Sequence, residues 1–377
     1  MLHVKVEKKP LTELLTKAQS ITYKKSTMVV LNNVLLYTKG NELFIERTDL
    51  EISYKGKTEC EILEEGAITV PSRKIYELIK EFPSSTIVLI ENENEWITIK
   101  GENKTEYKIG ANKIPDFPKF PSIDKENTEI IKLEASQLKK LIDKVLFSVS
   151  LDENKYSLSA VLIDYIEENE KKFIRTVGSD GHRLAYFQIE TDQLIKKAES
   201  DILVPRKTAN EIKKFVDGEK EIEFGFYKEL GFIKSNNEEL AFRLMDGKYP
   251  DYKQIIKYEK NRYFTINRME FYDALKRISI LIPDPIYRGI LTYINKDNLR
   301  IELINKEFGE AYELIDIKYS GDEFSFAFNA KYMMDVLNVM ESENIDIVVN
   351  EGITPCIIEG ENDPGFLGLI MPMTLEE

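Results

Sequence analysis

The feature that most constrains the fold is an internal repeat of paired amphipathic helices. Apolar residues recur at i, i+3, i+4 and i+7 in several segments, which is typical of helices with one buried face. The segments begin near Pro10, Ser72, Ser136, Arg206, Arg268 and Lys331. Alternate segments are about 130 residues apart, so they form three pairs. Solenoid repeats are shorter, about 20 to 50 residues, and the spacing therefore indicates three domains.

Strand-like runs accompany every helix pair. In the first repeat they cover 34–37, 43–46, 86–90 and 96–100, and similar Val-, Ile-, Phe- and Tyr-rich runs occupy the other two. A Pro-Asp turn signal flanked by aromatic residues closes each of the first two repeats. We therefore expect an α+β protein of three domains, at 1–125, 126–254 and 255–377, each with two helices on a mainly antiparallel sheet.

Charge is unevenly distributed along the chain. The net charge is −14, which taken alone argues against a nucleic-acid-binding protein, because most of those are basic overall. Five of the six helical segments nevertheless carry net positive charge, and Lys140 and Lys144 share a polar helix face. Simple solvation is the alternative explanation for one such face. Repetition of the pattern favours a surface that meets phosphates without reading base sequence.

Several classes of site are excluded by residue content. The two cysteines, Cys60 and Cys356, are far apart and outside any C-x-x-C motif, which predicts buried, reduced thiols. Two histidines cannot supply the usual zinc sites, and no nucleotide-binding motif is present. We expect no metal and no cofactor. The chain lacks a signal-like start and an apolar run of about 20 residues, which predicts a cytoplasmic protein with no membrane partner.

One cluster invites an enzymatic interpretation. Ser179, Asp180 and His182 together hold a nucleophile, an acid and a base. Near-consecutive residues in a turn rarely adopt triad geometry, and Asp180-Gly181 is a hairpin signal between two strand-like runs. A hydrolase remains the less favoured alternative, and a repeat scaffold that binds proteins but no DNA is another.

The segment Ser179-Asp-Gly-His-Arg-Leu-Ala resembles a motif of the bacterial DNA polymerase III beta subunit, the DNA sliding clamp family. Further matching segments occur in the family's order: Thr48-Asp-Leu-Glu, Val70-Pro-Ser-Arg-Lys, Val204-Pro-Arg-Lys, Asp246-Gly-Lys-Tyr-Pro-Asp-Tyr and Met371-Pro-Met-Thr-Leu. The resemblance covers essentially the whole chain. It implies a homodimeric six-domain ring, with helices around the hole and sheets outside.

The resemblance also implies a function. The chain would be a non-catalytic processivity factor that encircles double-stranded DNA without sequence preference. Its partners would be a second copy of itself, head to tail, and the replicative polymerase, the clamp loader, other polymerases and repair proteins, which bind through short peptide motifs. Loading would need a separate ATP-driven machine.

Three sets of site residues follow from the resemblance alone. The peptide pocket would comprise Leu158, Ser179, Gly181, His182, Arg183, Leu184, Pro250, Ile255, Asn329, Tyr332, Ile353, Leu369, Ile370, Met371, Pro372 and Met373, with His182 and Arg183 at its polar edge. The DNA contacts would include Lys25, Arg73, Lys155, Tyr156 and Lys207. At the dimer interface, Tyr107 and Ile109 would meet Leu281 and Ile282 of the partner, while Lys74 and Lys104 would pair with Glu307 and Glu310.

Overall fold

The structure is a computed structural model of the 377-residue chain. It describes residues 1–21, 28–102, 104–112, 117–122, 128–193, 201–282, 289–305, 307–350 and 354–373. These residues form two compact units. The first comprises 1–139 and 210–244, and the second comprises 140–209 and 245–377. The boundary between the units falls inside two helices.

The α-helices of the described residues begin within two positions of the predicted starts, so the predicted helix pairs are confirmed. They are α1 (Lys8–Ser20), α2 (Ser72–Glu81), α3 (Ala135–Asp143), α4 (Arg206–Val216), α5 (Arg268–Ile278) and α6 (Ala330–Val339). Asn267 and Asn329 cap α5 and α6, because each side-chain oxygen accepts two backbone N–H groups of the first turn. The apolar stripes are buried as the spacing predicts, including Leu11 and Leu15 of α1 and Leu275 of α5.

The strands of the first unit form one sheet. They are β1 (His3–Glu7), β2 (Asn33–Lys39), β3 (Glu42–Thr48), β4 (Ile52–Glu64), β5 (Ala67–Pro71), β6 (Thr86–Asn92), β7 (Trp96–Gly101), β8 (Glu106–Gly110), β9 (Glu129–Glu134), β14 (Glu221–Tyr227), β15 (Leu230–Lys234) and β16 (Glu238–Arg243). Their order is β8-β7-β6-β1-β4-β16-β15-β14-β9, with β2, β3 and β5 attached beside β4. The paired strands run antiparallel, as predicted.

The strands of the second unit form a second sheet. They are β10 (Ala160–Glu168), β11 (Lys171–Ser179), β12 (Arg183–Glu190), β13 (Ile202–Pro205), β17 (Tyr263–Asn267), β18 (Gly289–Ile294), β19 (Asn298–Asn305), β20 (Gly309–Tyr319), β21 (Phe324–Asn329), β22 (Asn344–Val348), β23 (Cys356–Gly360) and β24 (Phe366–Ile370). Their order is β13-β10-β11-β12-β24-β23-β22-β17-β20-β19-β18-β21. The middle sequence repeat therefore contributes strands to both sheets.

Two strand pairings join consecutive sequence repeats. Within the first unit β16 pairs with β4, and within the second unit β24 pairs with β12. Each continues a sheet from one repeat into the next through backbone hydrogen bonds. The two compact units therefore do not coincide with the three sequence repeats. The domain boundaries at 125/126 and 254/255 stay a prediction.

Both cysteines are free. Cys356 is buried in β23, and burial raises its thiol pKa to about 12. Cys60, on β4, is half-buried, so the prediction of a buried thiol is wrong for this residue. The described part of the chain contains no helix long and apolar enough to cross a membrane.

Candidate functional site

The turn between β11 and β12 is held in shape by its own side chains. The Ser179 hydroxyl donates to the Arg183 carbonyl at 2.8 Å and accepts from the Gly181 backbone N–H at 3.2 Å. One Asp180 oxygen accepts from the backbone N–H groups of His182 and Arg183, at 2.9 and 3.1 Å. Gly181 has a φ of +91°, where a side chain would be strained. The hydroxyl and carboxylate thus shape a loop and lack the nucleophile–base pairing of a hydrolase.

The two residues expected at the polar edge differ in exposure. His182 is exposed, whereas Arg183 is 8% exposed. The Arg183 guanidinium pairs with Asp180 at 3.0 Å and Asp335 at 2.6 Å and lies 4.3 Å from the Tyr332 ring centroid. It therefore lies against protein groups on several sides, while the imidazole of His182 meets solvent.

The chain's last strand lies beside this turn. In the β12–β24 pairing Arg183 is opposite Ile370 and Leu184 is opposite Leu369. Beyond the strand, the Met371 backbone N–H donates to the His182 carbonyl at 2.9 Å. Residues nearly 190 positions apart in sequence are thus fixed side by side by backbone hydrogen bonds.

The described pocket residues share one unit but differ in burial. An apolar cluster contains Leu184 and Leu369 with Tyr249 and Tyr252, and Leu158 and Met371 pack against it. The buried members of the predicted set are Ser179, Arg183, Leu184, Asn329, Leu369 and Ile370; Leu158, Tyr332, Met371, Pro372 and Met373 are half-buried; Gly181, His182, Pro250 and Ile255 are exposed. Ile353 lies outside the described residues. Of the half-buried group, Leu158 and Met371 both pack against the apolar cluster, and methionine side chains adapt readily to different neighbours.

A cavity of about 710 Å³ lies in the same unit. Ile255, Pro355 and Ile357 contribute apolar lining, and Lys257 and Arg262 contribute charge. The Ile255 backbone N–H donates to the Tyr252 carbonyl at 3.0 Å, which ties this wall to the apolar cluster. Of the predicted pocket residues that the structure describes, Ile255 alone is among the residues that line this cavity.

The predicted DNA contacts are exposed where the structure describes them. Arg73 is 84% exposed and pairs with Glu77 at 2.8 Å. In the second unit Tyr156 and Lys207 are exposed, and the Lys155 ammonium donates to the Asp180 carbonyl at 2.7 Å. Lys25 lies outside the described residues.

The polar helix faces are less available to phosphate than the sequence pattern predicts. Lys144 is buried and pairs with Asp363 at 2.8 Å. In the first unit, Lys17 of α1 pairs with Glu219 and Glu238 at 2.8 and 2.9 Å. Burial opposes the charged form of Lys17, but these two carboxylates outweigh burial and raise its pKa. The prediction that the polar helix faces meet phosphates is therefore wrong for Lys144, because its charge is already compensated inside the protein. The charge of Lys17 is compensated in the same way.

The predicted dimer residues lie on several elements of the two units. In the first unit Tyr107 is exposed and Ile109 half-buried on β8, while Lys74 on α2 and Lys104, just before β8, are exposed. In the second unit Leu281 and Ile282 are half-buried, and Glu307 and Glu310 are exposed beside the start of β20. Sequence reasoning missed Ile280, whose side chain is 80% exposed next to the predicted pair. An exposed isoleucine cannot be distinguished from a buried one by residue type.

Three family models match the chain in order. They describe the N-terminal, central and C-terminal domains of the DNA polymerase III beta subunit and match residues 2–121, 132–251 and 253–374. The chain therefore belongs to the DNA polymerase III beta subunit family. It has that family's clamp fold of three repeated domains.

Relatives match over most or all of their length. The beta sliding clamp of Pseudomonas aeruginosa is 28% identical and covers 99% of this chain and 100% of its own; that of Escherichia coli is 27% identical, covering 93% of each. A solved sliding clamp from Pseudomonas aeruginosa matches with a TM-score of 0.90 at 25% identity over all of both chains. A Bartonella birtlesii sliding clamp solved with griselimycin matches with a TM-score of 0.91 at 23% identity, over 99% of this chain and 100% of that one.

Family membership settles the class of function. The chain is a DNA sliding clamp, a non-catalytic processivity subunit of DNA polymerase III. The hydrolase alternative is therefore wrong, in agreement with the structural role of Ser179 and Asp180 in their turn.

Proposed function

We propose that two copies of the chain close head to tail into a ring around duplex DNA. A closed ring cannot dissociate sideways, so its phosphate contacts remain weak enough for sliding. This proposal rests on two strand edges that lack a second partner in the described part of the chain and whose equivalents in the other repeats pair with each other. Within the described residues, β8 has a ladder partner on one side only, β7, and the segment 309–314 of β20 pairs only with β19.

Comparison of the three repeats indicates which strand would pair with each edge. β8, β16 and β24 are equivalent, because each is the last strand after the second helix of its repeat. β4, β12 and β20 are equivalent, because each completes a hairpin with the strand before it. β16 pairs with β4, and β24 pairs with β12. The same rule assigns β8 of one copy to β20 of a second copy, and two such contacts close a two-fold ring.

The equivalence also gives the register. Leu240 of β16 lies opposite Tyr54, and Gly368 of β24 lies opposite Ala185. Tyr107 of β8 is equivalent to Leu240 and Gly368. Each of the three pairs, within its own repeat, with the isoleucine at the equivalent position of the preceding strand. In the proposed pairing of β8 with β20 of the second copy, Tyr107 therefore occupies the position that Leu240 occupies in the β16–β4 pairing and Gly368 in the β24–β12 pairing.

Ala311 of β20 is equivalent to Tyr54 of β4, because each pairs with the matching position of the strand before it. In the proposed dimer Ala311 therefore lies opposite Tyr107. An antiparallel ladder then sets Lys108 opposite Glu310, and this register favours Lys108 over Lys104 as the partner of Glu310. Opposite charges that face each other across strands stabilise the pairing by about 0.2–1 kcal/mol.

A charge-reversal series tests the ring. Lys108→Glu and Glu310→Lys should each shift the solution mass, measured by light scattering, from twice 43.8 kDa toward the single chain. The double variant should recover the dimer. Lys132→Glu, on the strand at the other end of the first sheet, should leave the mass unchanged. A chain that is monomeric without any substitution, and is not retained on circular DNA after loading, would refute the proposed two-copy ring.

DNA contact is proposed for Lys25, Arg73, Lys155, Tyr156 and Lys207. Lysine and arginine contacts to phosphate give binding that weakens with salt and ignores sequence. A clamp loaded on circular DNA should stay bound in high salt and leave when the circle is cut, because topology rather than contact retains it. Release from the uncut circle at the same rate would contradict the ring.

The peptide pocket is proposed at the sixteen predicted residues around the Ser179–Arg183 turn and the end of β24. Support comes from the half-buried methionines beside a rigid hydrogen-bonded turn. The occupants would be short motifs of the polymerases, the clamp loader and repair proteins, in the cytoplasm. Griselimycin, which the Bartonella birtlesii clamp binds, is a suitable probe.

The pocket is tested by calorimetry with griselimycin. Met371→Glu should weaken binding strongly, because a carboxylate would be placed on an apolar surface. Met269→Glu, at an exposed methionine of α5, is the matched control and should bind normally. Equal affinity in both variants would refute the assignment of the pocket.

A further inference from the structure

The Arg183 side chain links three segments of the second unit. Its Nε donates to Asp180 in the turn at 3.0 Å. One terminal nitrogen donates to the Phe147 carbonyl at 2.8 Å, and the other donates to Asp335 of α6 at 2.6 Å. The guanidinium also lies against the rings of Phe147 and Tyr332, at 5.4 and 4.3 Å from their centroids.

Asp335 is the member of this cluster that fixes α6. Asp180 belongs to the same turn as Arg183, so that ion pair constrains the turn alone. Asp335 is 152 residues away in sequence, and its carboxylate, 28% exposed, attaches the helix to the turn. Arg183 is largely buried, and its carboxylate partners offset the cost of removing its charge from water. Lys331, one turn earlier on α6, is a second cation near this carboxylate, at 3.4 Å.

The first turn of α6 carries two proposed pocket residues. The Asn329 side chain accepts from the backbone N–H groups of Lys331 and Tyr332, at 3.0 and 3.3 Å. The Tyr332 ring is half-buried over the Arg183 guanidinium, an arrangement that stabilises both groups. The position of this ring therefore depends on where Arg183 is held.

We propose that Asp335 is a positioning residue of the peptide pocket, one that touches no ligand. It holds the Arg183 guanidinium between Asp180 and α6, and the guanidinium in turn sets the Tyr332 ring as a wall of the pocket. This inference rests on the proposed peptide pocket. It also assigns Arg183 to the support of the pocket rather than to direct recognition of a ligand charge.

The test compares three variants of the full chain. Asp335→Asn removes the charge with little change of shape, and Asp335→Glu keeps the charge. Asp346→Asn is the matched control, because Asp346 is also 28% exposed, lies in the same unit and forms an ion pair with Lys260 at 2.7 Å. Griselimycin affinity is measured by calorimetry. The Tyr332 ring is followed by ¹⁹F NMR of fluorotyrosine-labelled protein, with its resonance assigned by Tyr332→Phe.

Asp335→Asn should weaken griselimycin binding about tenfold and move the Tyr332 resonance. Asp335→Glu should restore most of the affinity, and Asp346→Asn should change neither readout. An affinity within twofold of the unmodified chain, or an unmoved resonance, would overturn the role of Asp335 alone. If the unmodified chain itself fails to bind griselimycin, the proposed pocket fails instead.

Discussion

The ion pair between Lys144 and Asp363 offers the sharpest test of how the second unit is held together. Asp363 lies between β23 and β24 and its side chain is fully buried, while Lys144 follows α3 and is 5% exposed. Besides the Lys144 ammonium at 2.8 Å, Asp363 accepts from the backbone N–H groups of Glu341 and Ser342 and from the Ser342 hydroxyl. The Lys144 ammonium also donates to the Val339 carbonyl.

Lys144→Met should therefore destabilise β24 severely. The substitution keeps most of the side-chain volume but leaves the Asp363 carboxylate buried without its cation. Removing one partner of a buried ion pair costs about 3–5 kcal/mol. Lys140→Met is the matched control, because Lys140 forms a surface pair with Glu341 at 2.9 Å, with the two side chains 45% and 57% exposed. Surface pairs contribute about 0–1 kcal/mol.

The loss is local, so it should be measured by amide hydrogen exchange rather than by global unfolding. We expect the amides of β24 to lose protection by several powers of ten in Lys144→Met, since about 1.4 kcal/mol corresponds to a factor of ten. Lys140→Met should change their protection less than tenfold. Equal protection in the two variants would refute the reasoning that burial makes the Lys144 pair important.

Two further predictions concern pH and packing. Burial alone would raise the pKa of Asp363, but the hydrogen bonds from Lys144 and its other donors outweigh burial and lower the pKa. The stabilisation that the ionised carboxylate gives to the fold should therefore be present above about pH 4 and be lost as the pH falls through the lowered pKa. Amide hydrogen exchange of β24 measured in acid would reveal this loss. Gly231→Ala should lower the thermal midpoint, because a new Cβ would lie 2.2 Å from the Phe242 ring, and such overpacking costs about 1–3 kcal/mol. An unchanged thermal midpoint in Gly231→Ala would contradict this account.

Much of the secondary structure could be predicted from the sequence, because helical and strand periodicity are local. The helix starts near Arg206, Arg268 and Lys331 were predicted within one residue, and the Asp180-Gly181 signal predicted the hairpin of β11 and β12. The order of motifs along the repeats also identified the family. Residues that pack on one face of a helix lie within a few positions of one another, so their spacing is visible in the chain itself.

The partners of the charged side chains could not be predicted in this way. Lys144 reads as part of a solvated polar face, yet its partner is Asp363, 219 residues away. The family resemblance assigns Arg183 to the polar edge of a pocket but does not reveal that Asp335, on another element, holds it. A pattern of polar residues indicates which face of a helix points away from the core on which the helix packs. It does not indicate which other segments contact that face.

The sequence by itself determined the threefold repeat, the helices and the family, because each depends on spacing along the chain. The tertiary structure decided which strand edges are unpaired, which lysines are neutralised inside the protein and which carboxylate supports Arg183. Those outcomes depend on contacts between segments more than a hundred residues apart, whose energies are fixed by burial and geometry that appear only once the chain has folded.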